Sequence, residues 1–191
     1  MSTIRLSILT LFILTALVAC NRAEVVTVEE VYAVVSAAEI EAGDPVPPPA
    51  GPVILTIRGN IENTNVDDTL QFDMATLERL GLVEYSVDDK QAEGGEALFR
   101  GVLVDQLLAV AGAAADATTL NTVALNDYGV EIPIADVRTY PVLLATAVDG
   151  ERMDVARYGP TRVIYPYGFY DLDETVYDPR WIWQLATIEV R

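Results

Sequence analysis

Residues 42–52 read AGDPVPPPAGP, and their five prolines cannot continue a helix or take a place inside a sheet. This tract divides the chain. Residues 21–51 show no clear strand alternation and are expected to form an extended tether. Val31, Val34 and Val35 share a helical face within Glu29 to Glu39, which predicts a short helix, though a poor one because these residues are β-branched. Everything downstream, residues 52–191, is long enough for one buried core and too short for two large ones.

The domain opens on PVILTIRGNI, where Val53, Leu55 and Ile57 alternate as a strand until Gly59. LQFDMATLERLG predicts a strand end, an Asp73 N-cap, a helix with Met74, Leu77 and Leu80 inward, and a stop at Gly81. LVEYSV reads as a second strand. FRGVLVDQLLAVAG carries Leu103, Leu107, Val110 and Ala111 at helical spacing and closes on Gly112, so the whole segment is predicted helical. TLNTVALNDYGVEIPI predicts a hairpin about Asn126 to Gly129, and PVLLATAVDGERM another about Asp149-Gly150. TRVIYP, an acidic loop FYDLDETVYDP and a long final strand WIWQLATIEVR complete an α+β, strand-rich domain with few short helices.

Composition excludes much chemistry. There is no histidine, and Cys20 is the one cysteine, which rules out Ser-His-Asp triads, Cys-His dyads, ordinary zinc sites and an intramolecular disulfide. The N-terminal stretch has one positive charge, Arg5, followed by an apolar run from Leu6 to Cys20 that is short for a membrane span. It reads as a signal peptide over residues 1–20. Leu17-Val18-Ala19-Cys20 resembles the bacterial lipobox, which implies acylation of Cys20, and Asn21 resembles an outer-membrane sorting choice. The expected location is therefore the periplasm, on a lipid anchor. Loss of residues 1–19 removes Arg5 and no acid, leaving 11 basic against 29 acidic residues, a net of −18. Such a charge repels nucleic acid.

Against this acidic background Arg152, Arg157, Arg162 and Arg180 stand in or near one segment, VDGERMDVARYGPTRVIYPYG and its continuation. Arg152 and Arg157 read as solvated charges paired with Glu151 or Asp154. Arg162 and Arg180 are open to two roles, an internal ion pair to an acid such as Asp127 or Asp178, or contact with an anionic ligand. The aromatic cluster from Tyr165 to Trp183 is expected to pack the last strands, with one of Trp181 and Trp183 inward and tyrosines lining a cleft. DLDETVYD lacks the turn glycine of a calcium loop and reads as an acidic surface loop.

Taken in order, the segments RGNI, FRGVLVDQLL, LNDYGVEIPIADV, LLATAVDGERMDVARYGPTRVIYPYG and RWIWQLATIEVR resemble the oxidoreductase molybdopterin-binding domain of the sulfite oxidase family. The resemblance covers about residues 52–191. It implies a mixed α+β fold that holds molybdenum through a pterin dithiolene, with Arg162 on the Gly-Pro-x-Arg position and Arg180 before the last strand as phosphate contacts. It also implies a cleft around Arg162, Asn126, Asp127, Tyr128 and Tyr165.

Three departures limit what the resemblance carries. EYSVDDKQAEGGEAL, where the family's enzymes place a metal-binding thiolate, has no cysteine; Asp88, Asp89, Glu93 and Glu96 offer only hard oxygens. The leader lacks a twin arginine, so it resembles a route that passes unfolded chains without a cofactor. Histidine contacts to the cofactor cannot exist. The expectation is a non-catalytic ligand-binding or accessory module, taking a small anionic ligand or a periplasmic partner protein. The other reading is a molybdopterin-dependent oxidoreductase with an altered metal shell.

Overall fold

Residues 31–90 and 95–191 are described by the computed structural model, the Arg157 side chain excepted. The expected signal peptide, the lipobox-like stretch and Cys20 lie outside the described residues, as do Gln91 to Gly94. Two sheets form the fold. In the first, β1 (Ala33–Ser36), β4 (Leu82–Asp88), β5 (Glu96–Leu103), β8 (Leu143–Val148) and β10 (Arg162–Ile164) lie side by side, all antiparallel. The short β9 (Glu151–Arg152) pairs with β8. The second sheet runs β3 (Leu70–Phe72), β2 (Leu55–Gly59), β11 (Leu185–Val190), β6 (Thr119–Ala124) and β7 (Gly129–Pro133), and only β11 with β2 is parallel. Among the described residues four helices connect them: α1 (Met74–Glu78), α2 (Val104–Ala111), α3 (Ile134–Thr139) and α4 (Glu174–Tyr177). The expected α+β, strand-rich architecture is the observed one.

The main core fills the space between the sheets, with Leu55, Ile57, Phe72, Leu107, Leu120 and Ile188 among its fully buried members. A second cluster of Val83, Tyr85, Val87, Phe99, Leu143, Ala145 and Ile164 lines the other face of the first sheet. That sheet is covered on both faces at its centre, so β8, LLATAV, reads as a continuous apolar run.

Three local expectations give way. Residues 33–36 form the edge strand β1 instead of a helix, since the β-branched pair Val34 and Val35 suits extended backbone and β4 offers an open edge. The supposed tether is also packed, with Ile40 and Val46 in the core and the amides of Ala50 and Gly51 bonded to the Asp73 carboxylate at 2.8 Å each. FRGVL is strand, and the helix begins only at Val104. Gly101 explains why: a Cβ there would stand 2.1 Å from the Leu144 carbonyl oxygen, so the glycine lets β5 close on β8. The final strand starts at Leu185, because Gln184 takes a left-handed φ of 55°. The acidic stretch after Phe169 holds α4, capped by the Asp173 side chain on Thr175 N–H.

Asp73 performs as an N-cap and more. It accepts from Thr76 N–H at 2.8 Å as well as from the two amides upstream, and these bonds hold its carboxyl down at about 2. Asp73→Ala is expected to lower stability at neutral pH by about 1–2 kcal/mol. A depressed carboxyl stabilises the fold above its unfolded value near 3.8 and loses that contribution as pH falls towards 2, so the gap between wild type and variant should close over that range. Urea titrations at pH steps across it would check both statements.

Candidate functional site

Strand parity brings the site together. Val83, Tyr85 and Val87 alternate along β4 into the second cluster, and Asp89, one step past the strand, continues the same face. Arg162 and Ile164 share that face on β10, opposite Val163, which faces the main core. Asp89 and Arg162 meet as a two-pronged ion pair, Nη1 to Oδ2 at 2.8 Å and Nη2 to Oδ1 at 3.0 Å. The side chain of Arg162 is 4% exposed and that of Asp89 6%, which is deep for two charges. Removed from water, such ions persist only when each meets the other in good geometry.

Aromatic rings complete the enclosure. The guanidinium carbon of Arg162 lies 5.2 Å from the Trp181 ring centre, 5.4 Å from Phe99, 5.6 Å from Trp183 and 5.9 Å from Tyr158. These faces stabilise a cation electrostatically where water is excluded. Arg162 Nε and Trp181 Nε1 are buried without a hydrogen-bond acceptor among the described residues, and the ring faces are what surrounds the former. Gly159 permits the approach of this segment, since a Cβ would sit 2.2 Å from the Met153 carbonyl oxygen.

Arg180 belongs to a second cluster. Its Nη1 and the Tyr165 hydroxyl both donate to Asp136 Oδ2, the tyrosine at 3.0 Å. Burial, then the adjacent Asp136 charge, pushes the Tyr165 hydroxyl far above its ordinary value. Tyr165 is fully buried and lines no cleft. Asn126, Asp127 and Tyr128 form the exposed tip of the β6–β7 hairpin, where Asn126 Oδ1 accepts from Tyr128 N–H and the Tyr128 hydroxyl donates to the Pro179 carbonyl.

The expected cleft around Arg162, Asn126, Asp127, Tyr128 and Tyr165 therefore resolves into three places. The acids paired with the arginines are Asp89 and Asp136, not Asp127 or Asp178. Arg152 likewise reaches across to Glu78 on α1 instead of its hairpin neighbours, at an exposed site of small energetic weight. The side chain of Arg157 lies outside the described residues.

Beside the Asp89–Arg162 pair lies a cavity of about 470 Å³. Tyr167, Tyr170, Trp181 and Trp183 supply ring faces, while Asp88, Asp89, Asp171, Glu174 and Asp178 outnumber the cations Lys90 and Arg162. Lys90 bridges Glu174 and Asp178 at 2.8 Å each, and Tyr167 donates to Asp178 at 2.9 Å. Burial raises the Asp178 carboxyl, but the bonds from Lys90 and Tyr167 outweigh it and hold the group below its ordinary value. An outer slot of about 330 Å³, lined by Asn126, Tyr128, Pro179 and Gln184, shares Asp178, Trp181 and Trp183 with this cavity.

The family model of the oxidoreductase molybdopterin-binding domain matches residues 55–172, more than half of the chain. The chain belongs to this family. Among solved structures, the sulfane dehydrogenase SoxCD from Paracoccus pantotrophus is similar in fold, with a TM-score of 0.54 and 20% sequence identity. The likeness covers 71% of this chain and 37% of that one, so the chain spans little more than a third of its length. No curated protein matches the sequence.

The family's metal cofactor does not fit the donors present. A molybdenum dithiolene calls for a soft thiolate and its phosphate for free cations. The one cysteine of the chain is Cys20, before the domain, and the guanidinium groups of Arg162 and Arg180 are taken by Asp89 and Asp136. The surplus carboxylates of the cavity would repel a phosphate further.

Asp89 is the residue that sequence reasoning missed as a partner, and the alternation Val83, Tyr85, Val87, Asp89 is the signal that could have found it. Arg162→Ala should destabilise the fold by about 3–5 kcal/mol, because Asp89 is left charged and buried. The double change Asp89→Leu, Arg162→Met should recover most of that loss. Denaturant unfolding of the two variants beside wild type measures both.

Proposed function

We propose that this protein is a non-catalytic ligand-binding module of the molybdopterin-binding family, exported and held in the periplasm by a lipid on Cys20. The inner cavity then takes a flat, N–H-rich ring of the pterin class without its metal. One observation carries the reading: the Arg162 guanidinium, the family's expected anion contact, is already closed by Asp89. The charge of the cavity turns the expectation from a small anionic ligand to one that donates hydrogen bonds.

The chemistry of the lining supports it. Carboxylates accept from the amino and ring N–H groups of such a heterocycle, and charge-assisted bonds of that kind are the stronger sort. Tyr167, Trp181 and Trp183 offer faces for stacking. A volume of about 470 Å³ falls within the roughly 300–1,000 Å³ of small-molecule sites. Cofactor-free export through an unfolded route is consistent with a ligand met only after folding. The second reading, a molybdopterin-dependent oxidoreductase with an altered metal shell, has family membership in its favour.

Elemental analysis of the mature protein from its native periplasm separates the two: the binding module carries no molybdenum, whereas a stoichiometric amount would establish the enzyme. The chain has two tryptophans and both line the cavity, so their fluorescence reports occupancy directly. Pterin should quench it saturably, and Asp171→Asn should weaken that binding by roughly tenfold, about the worth of one charged hydrogen bond. Cys20→Ala should move the protein from the membrane to the soluble fraction, scored by fractionation.

A further inference from the structure

Lysine occurs once in this chain, against eleven arginines, and that one lysine stands on the wall of the inner cavity. Lys90 follows Asp89 directly, and Asp89 is pinned by its two bonds to Arg162. From there its Nζ reaches across to Glu174 Oε2 and Asp178 Oδ2 at 2.8 Å each. Both acceptors are themselves placed. Glu174 opens α4 behind the Asp173 cap, and Asp178 takes the Tyr167 hydroxyl at 2.9 Å. Two carboxylates thus converge on a single ammonium.

The residue type fits the task. An ammonium is a compact charge whose three donors can turn to two separate acceptors, whereas a guanidinium fork matches the two oxygens of one carboxylate, as Arg162 does with Asp89. Asp178 first and then Glu174 hold the amine protonated far above its ordinary range, so Lys90 keeps its charge around neutral pH and is no nucleophile. The bridge adds little to stability, because the side chains of Lys90 and Glu174 are both well exposed. Its consequence lies in the cavity. Carboxylates beside the ring faces of Tyr167, Tyr170 and Trp181 are surroundings that attract an organic cation. Lys90 already supplies a cation there, and its tether to the chain keeps it at high effective concentration. A free cation must displace it. A neutral ring with N–H groups can use Asp171 and leave the bridge intact.

We infer that Lys90 is the specificity-determining residue of the inner cavity, a tethered cation that turns organic cations away and reserves the site for neutral ring donors. The inference rests on the ring-binding role proposed for that cavity.

Calorimetric titration of the mature chain at neutral pH tests this with N-methylquinolinium, a flat two-ring cation, and quinoline, its neutral counterpart. Lys90→Met should bind the cation roughly tenfold tighter than wild type does, with quinoline gaining little. Lys90→Arg, which keeps the charge, should stay at the wild-type level. Adding Glu174→Gln and Asp178→Asn to Lys90→Met should abolish the gain. Acetylation of the folded wild type, which meets one lysine side chain, removes the same charge and should reproduce the gain without a substitution. Thermal melts should hardly move in Lys90→Met, as befits an exposed ion pair. Unchanged affinity for the cation in a folded Lys90→Met and in the acetylated protein, an equal gain for quinoline, or the same gain in Lys90→Arg would each overturn the inference. Failure of pterin to quench the tryptophans of wild type would count against the proposed function instead, since the comparison of cation with neutral ring is read without pterin.

Discussion

The buried pair of Asp89 and Arg162 determines what this molecule can do. Two opposite charges withdrawn from water hold each other at 2.8 and 3.0 Å, inside a wall of four aromatic rings. Neither ion could remain there alone, because desolvation of a single charge exceeds anything the surrounding rings return. The pair thereby joins the end of β4 to the start of β10 across the first sheet. It also removes from circulation the cation that a phosphate-bearing cofactor would need.

The neighbouring cavity inherits the consequences. Its acids exceed its cations, and Lys90 is committed to Glu174 and Asp178. What remains available to a ligand is a set of hydrogen-bond acceptors and ring faces, a different chemistry from the soft sulfur and free cations that a metal dithiolene calls for. The family fold stands here with Arg162 and Arg180, the two expected phosphate contacts, engaged by carboxylates, which shows that side chains are set by the site and not by the architecture.

Much of the fold was legible in the sequence. Short-range signals with a local cause were accurate: the Asp73 cap, the Gly112 stop, and the hairpins at Asn126 to Gly129 and Asp149-Gly150. Errors arose where a partner distant in sequence decided the outcome. Ala33–Ser36 became a strand because β4 had an open edge, and FRGVL became one because Gly101 fits against β8. Of the candidate site, Arg162 lines the inner cavity but is paired with Asp89, Asn126, Asp127 and Tyr128 lie at an exposed turn, and Tyr165 and Arg180 belong with Asp136.

Residue content alone determined what chemistry is closed to this domain, since no arrangement supplies a histidine, or a second cysteine, that the chain lacks. It also determined the acidic character and the local caps, stops and hairpin turns, which depend on neighbours a few residues apart. Only the tertiary structure decided whether Arg162 is a free cation or half of an ion pair. That question turns on a carboxylate 73 residues away in the chain, brought within hydrogen-bond reach by two strands of one sheet. Pairing energies of buried charges depend on distance and burial, and neither is written in sequence spacing.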